Sequence, residues 1–138
     1  MNSVTVSRTT DASADDIREA IDRVGPFMEA SGFDEVTVDG DTVRVANQVG
    51  FATIELTLAL VEDSEAALAY EQRDGIFRKM RTRYVVAPAD GGTEVTAMTE
   101  FELDVAVVGD VLDATVIERQ RRAELTAQLE WLEEVCGE

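Results

Sequence analysis

No histidine occurs anywhere in the sequence. Ser-His-Asp triads, Cys-His pairs and His-ligated metals are therefore all excluded. Cysteine occurs once, as Cys136, so no disulfide or thiolate cluster can form within the chain. Its plainest reading is a small apolar residue on a last helical turn. Lysine is almost missing as well: Lys79 is the only one among 12 basic residues, the others being arginines. Long apolar runs are also lacking. Glu55, Thr57 and Glu62 interrupt the most hydrophobic stretch, and nothing approaches the ~20 residues that span a bilayer. The opening Met1-Asn2-Ser3-Val4 has neither a basic stretch nor an apolar signal region, so a cytoplasmic protein is expected.

What is abundant is negative charge. Twenty-nine acidic residues stand against 12 basic ones, for a formal net charge of −17. Solubility of a small domain requires only ~2–8 charges, and the excess repels itself at ordinary ionic strength. At ~1 M salt the Debye length falls to ~3 Å and most of that repulsion disappears. Carboxylates in excess, arginine in place of lysine and plentiful Ala, Val and Thr resemble proteins of salt-in halophiles. The same charge argues against nucleic-acid partners, whose affinity comes from cations neutralising phosphates, and against anionic membrane surfaces.

With 138 residues and a hydrophobic share of 45%, one globular domain covering 1–138 is expected. Val4 and Val6 alternate with polar neighbours, predicting a first strand over about 3–10. Ser13 followed by Asp16 resembles a helix-capping box, and Ile17, Ala20, Ile21 and Val24 repeat at helical spacing. Gly25-Pro26 predicts a break and Pro26 the start of a second short helix, ending at Gly32. From Phe33 the period becomes two. Asp39-Gly40, Gly50, Asp63-Ser64, Asp74-Gly75 and Pro88 to Gly92 punctuate six successive strands. Asp110 is placed to cap a final helix reaching about Val135. The apolar stripe Val108, Val111, Leu112, Val116 does not line up with Leu125, Leu129, Leu132, Cys136, which predicts a bend or a drifting contact.

The order strand, two short helices, six antiparallel strands, long helix resembles the START-like superfamily (Bet v 1; polyketide cyclase and lipid transport). The likeness runs from Val4-Thr5-Val6 and Ala12-Ser13-Ala14-Asp15-Asp16-Ile17 to Glu130-Trp131-Leu132. Ile17 lies near the place where a tryptophan often follows the cap. The resemblance implies an α+β helix-grip fold: a curved seven-stranded antiparallel sheet wrapped around the C-terminal helix. It also implies one of three roles: binding or carriage of a hydrophobic ligand, polyketide cyclisation, or co-chaperone activity.

Candidate site residues follow from strand parity. Met80, Thr82, Tyr84 and Val86 share one face, so Lys79, Arg81 and Arg83 share the other. A hairpin centred on Asp90 places Arg81 beside Glu100 and Lys79 beside Glu102 as a solvent-facing charge ladder. The inward faces combine Leu56, Leu58, Met80 and Phe101 with Tyr70, Thr82, Tyr84 and Thr99, and the parity of Tyr70 adds Gln72 as a further candidate. So many buried hydroxyls need partners. Either they line a cavity with apolar walls and a few polar anchors, or threonines bond locally in a packed core while tyrosines reach the rim.

On the helix, Thr115, Glu118, Arg119 and Arg122 lie where the stripes cross. Glu118 and Arg122, spaced i, i+4, make either a surface pair or an inward anchor for a ligand's polar end. A small hydrophobic molecule is the expected partner. A carboxylate such as Glu118 near Tyr84 acting as acid or base is the enzymatic alternative, and a protein-interaction module the third. No Gly-rich phosphate loop, GxSxG or EF-hand spacing is present, so no metal or cofactor is expected.

Overall fold

The computed structural model describes residues 1–104 and 113–136. β1 (Asn2–Thr10) leads into α1 (Ala14–Asp22) and α2 (Val24–Glu29). Six strands follow: β2 (Glu35–Asp39), β3 (Thr42–Val49), β4 (Ala52–Leu60), β5 (Leu68–Asp74), β6 (Phe77–Ala89) and β7 (Gly92–Leu103). The long helix α3 spans Ala114–Cys136. The seven strands form one antiparallel sheet in the order β1-β7-β6-β5-β4-β3-β2. β1 closes one edge against β7, and α3 packs on β1, β7, α1 and α2. The helix-grip architecture implied by the sequence is the architecture of the protein.

Local chemistry explains the element boundaries. The Ser13 side chain accepts from the Asp16 N–H at 3.1 Å, capping α1. α2 starts at Val24, so Pro26 sits inside its first turn rather than opening it. Proline is tolerated there because the first-turn N–H groups lack helical partners anyway. Asp110 lies outside the described residues; the cap of α3 is Asp113, whose carboxylate accepts from the Val116 N–H at 3.0 Å. Backbone pairing across β2 and β3 ends at Asp39↔Thr42, so the turn itself is Gly40-Asp41, with Gly40 at φ 61°.

The β5–β6 connection differs from the tight hairpin expected at Asp74-Gly75. Backbone pairing stops at Glu71↔Arg81. Beyond it the Gln72 amide substitutes for a ladder pair, donating to the Phe77 carbonyl at 2.7 Å and accepting from the Phe77 N–H at 3.0 Å. Arg73 on β5 and Arg78 on β6 are the extra residues of flanking bulges.

The β6–β7 register is the expected one, with Arg81↔Glu100 and Lys79↔Glu102. The ion pairs are not: Arg81 binds Glu71 at 2.6 Å and Asp63 at 3.3 Å. Arg83 binds Asp63 at 3.5 Å and Glu65 at 3.4 Å. The charge ladder runs toward β5 and its preceding loop because their carboxylates reach across more closely than those of β7.

The core lies between the sheet and the three helices. Phe27 of α2 meets Tyr84 edge-on at 4.8 Å and Trp131 of α3 at 6.2 Å, which joins both helices to the sheet. Ile17, Ile21, Leu58, Phe101, Leu125, Leu129 and Leu132 are buried with them. Where β1 ends, Gly92 lies directly against the Thr10 carbonyl, and any Cβ there would collide. We predict that Gly92→Ala lowers stability by about 1–3 kcal/mol through overpacking, read as a reduced urea midpoint with an unchanged slope. A midpoint equal to that of the native chain would mean β1 moves aside freely.

Candidate functional site

The inward face of α3 does not follow the apolar stripes. It runs through Ile117, Arg121, Glu124, Leu125, Gln128, Leu129 and Leu132, all buried. Three polar residues occupy the middle of this face, and Val108, Val111 and Leu112 of the first apolar stripe lie outside the described residues. Val116, counted in the first stripe, is exposed, and its neighbour Ile117 points inward. Thr115 and Arg122 are exposed and Glu118 is half-buried. Arg122 donates to the Thr5 carbonyl at 3.4 Å. The inward anchor assigned to Arg122 or Glu118 is therefore corrected to Arg121 and Glu124.

Arg121 and Glu124 form a buried ion pair at 2.6 Å, one turn apart. The Arg121 Nη2 also donates to the Tyr70 hydroxyl at 3.1 Å and to Thr82 Oγ1 at 3.0 Å. Thr82 and Thr99 share a hydrogen bond of 2.8 Å across β6 and β7. The Tyr70 and Tyr84 hydroxyls lie 3.4 Å apart, and Tyr84 donates to Gln128 Oε1 at 2.6 Å. Gln128 in turn donates to the Phe27 carbonyl at 3.3 Å. The far side of Glu124 accepts from Gln120 at 3.0 Å and from Asn47 at 3.3 Å. The hydroxyls of Tyr70, Thr82, Tyr84 and Thr99 thus face one connected polar network, and both tyrosines are fully enclosed instead of reaching the rim.

Beside this network lies a small cavity with about 30 Å³ of free space, room for on the order of one or two waters. Phe33, Val45, Val49, Ile54, Leu56, Ile76, Phe77 and Ile117 form its apolar walls, and Asn47, Gln120, Arg121 and Glu124 its polar side. Of the residues named from the sequence, Leu56 lines it. Leu58, Met80 and Phe101 are buried elsewhere in the same core. One polar atom is left over: Arg121 Nε is buried and has no hydrogen-bond partner among the described residues.

The charges in this site are firmly held. Burial alone pushes the Arg121 guanidinium down, but the oxygens of Tyr70, Glu124 and Tyr84 outweigh it and hold the group above its ordinary range. Burial is the main reason the Tyr84 hydroxyl sits well above its ordinary 10.0, with Tyr70 adding to it. Among the described residues no cluster of three His, Cys, Asp or Glu is placed to hold a metal ion, and no helix is long and apolar enough to cross a membrane.

The network makes two outcomes measurable. Arg121→Met should cost about 3–5 kcal/mol, because it strands Glu124 in the interior, whereas Arg121→Met with Glu124→Leu should cost less than either single change. Urea denaturation of the three variants checks this, and additive losses would contradict it. The second outcome concerns alkali. The unfolded chain releases the Tyr84 proton near 10.0 and the folded chain only well above it, so stability declines as pH rises past 10 and is untouched below. In a Tyr70→Phe background, where Tyr84 is the one remaining tyrosine, its ultraviolet titration should therefore coincide with unfolding rather than precede it.

Solved structures share this architecture. A protein from Thermus thermophilus is 16% identical, with a TM-score of 0.72, covering 97% of this chain and 99% of that one. The Zhui aromatase/cyclase from Streptomyces sp. R1128 is 21% identical, with a TM-score of 0.71 and coverage of 96% and 93%. A START superfamily protein from Mycobacterium smegmatis is 15% identical, with a TM-score of 0.66 and coverage of 97% and 96%. At these identities the likeness is one of fold. No curated protein matches the sequence. The family described as polyketide cyclase / dehydrase and lipid transport matches residues 1–137, and the chain belongs to that family.

Proposed function

We propose that the protein binds a small, mostly apolar molecule between the sheet and α3, with a polar end of the ligand meeting Arg121. One observation carries this reading: a fully buried, ion-paired arginine with an unused N–H stands at the polar side of an apolar-walled cavity. Burying two charges costs several kcal/mol per ion, and well-packed hydrophobic residues in their place are often neutral or stabilising. Stability alone is therefore a poor reason to keep Arg121 and Glu124 inside. Recognition of a ligand is a better one, since buried donors reject molecules that leave them unpaired. The family, which includes lipid transport in its description, is in keeping with this reading.

The free space of about 30 Å³ is far below the ~300–1,000 Å³ of pockets that enclose drug-sized ligands. Binding therefore requires the cavity to widen. Its apolar walls come from the α2–β2 connection, β3, β4, the β5–β6 turn with the first residue of β6, and the start of α3, so a ligand enters by spreading those elements.

A second reading, a cyclase- or hydrolase-like enzyme in the same pocket, is favoured by one feature, the buried carboxylate of Glu124. That carboxylate already accepts from Arg121, Gln120 and Asn47. Its lone pairs are committed to holding the network, which makes simple binding the stronger reading.

Mass spectrometry of organic extracts tests the proposal. Protein purified in multimolar salt should release one small, mostly apolar compound in near-stoichiometric amount, absent from a mock preparation and from the Arg121→Met/Glu124→Leu protein. An empty extract, together with no uptake of a fluorescent apolar dye, would sink the binding reading.

A further inference from the structure

The charge of the ligand's polar end is fixed by what Arg121 already holds. Arg121 and Glu124 are the buried charged residues among the described ones, and at 2.6 Å they neutralise each other. Both Glu124 oxygens are occupied: Oε1 by Arg121, Oε2 by Gln120 and Asn47. On Arg121, Nη1 serves Glu124 and Nη2 serves Tyr70 and Thr82, which uses three of the five N–H groups and leaves Nε as the nitrogen with no partner among the described residues. The site therefore offers a hydrogen-bond donor but no spare positive charge.

The geometry points to a ligand whose polar end is an uncharged hydrogen-bond acceptor, such as a ketone, ester or other carbonyl, and not a carboxylate or phosphate. This inference rests on the binding reading above and narrows it. An uncharged carbonyl accepts from the Arg121 Nε–H and leaves the ion pair intact. A carboxylate would bring a second negative charge beside Glu124 into an apolar-walled space whose one cation is already paired. Burying an unpaired charge in that way is far costlier than burying a hydrogen-bonded neutral group. The net charge of −17 adds long-range repulsion of anions.

Two matched pairs of compounds test it: methyl nonyl ketone against decanoate, and methyl naphthyl ketone against naphthoate. Each pair exchanges a methyl for a carboxylate oxygen on one scaffold. Affinities are measured by displacement of a fluorescent apolar dye at neutral pH, in high salt that screens the surface charge. We expect each ketone to bind about tenfold or more tightly than its carboxylate partner. In Glu124→Gln protein, checked for folding by circular dichroism, Arg121 loses its counter-ion and the preference should vanish or reverse.

A carboxylate bound as tightly as its ketone by the native chain would overturn this inference and leave the binding reading standing. Absence of binding by all four compounds would overturn both. Should Glu124→Gln fail to fold, the native-chain ratio still decides.

Discussion

The contact between Arg121 and Glu124 organises the interior of this protein. Both side chains come from α3, one turn apart, and from them hydrogen bonds reach β3 through Asn47, β5 through Tyr70 and β6 through Thr82. A second polar line, Tyr84 to Gln128 to the Phe27 carbonyl, ties the same helix to β6 and α2. Apolar packing is non-directional; it would tolerate small rotations of a helix lying on a sheet. These charged and hydroxyl contacts do not, because each has a narrow range of distance and angle. They fix the rotation of α3 about its axis and its position along the sheet.

Such a network is costly to assemble and valuable only when complete. In a low-dielectric interior each unpaired polar group is penalised heavily, so the residues around Arg121 act as a set. Thr82 illustrates this. It bonds Thr99 and also receives Arg121, and so links the β6–β7 pair to the helix through one hydroxyl.

Much of the fold is legible in the sequence because strands of this protein bury one face. Alternation at Val43 and Val45, at Ile54, Leu56 and Leu58, and from Met80 to Val86 is a period-two signal that tertiary contacts reinforce. The site is harder to read for a physical reason. A helix face is recognised from its apolar residues, and here the centre of the buried face is Arg121, Glu124 and Gln128. Taking Val116 as inward turns the inferred face by about 100° from the one that Ile117 and Arg121 share. Helical steps of three or four residues lead from Leu132 back through Gln128, Leu125 and Arg121 to Ile117, so the later stripe already carries the signal. The Gln72 clasp has no such signature, because a side chain standing in for backbone pairing leaves no trace in periodicity.

That clasp decides where the wall of the cavity is weakest. Ile76 and Phe77 form part of the wall, and the turn carrying them is fastened to β5 by one glutamine amide where a continuous ladder would otherwise run. Gly75, at φ 153°, packs so closely on Leu56 and Gln72 that a larger residue there would collide with both. The far side of the turn is tied to the end of β7, where the Ile76 carbonyl accepts from the Asp104 N–H at 3.0 Å. Parting it from β5 breaks the two Gln72 hydrogen bonds, at about 0.5–1.5 kcal/mol each, whereas parting β6 from β7 would break a dozen residue pairings. At this turn β5 is thus joined to β6 by one side chain, while on its other side β6 is joined to β7 by backbone pairing along its whole length.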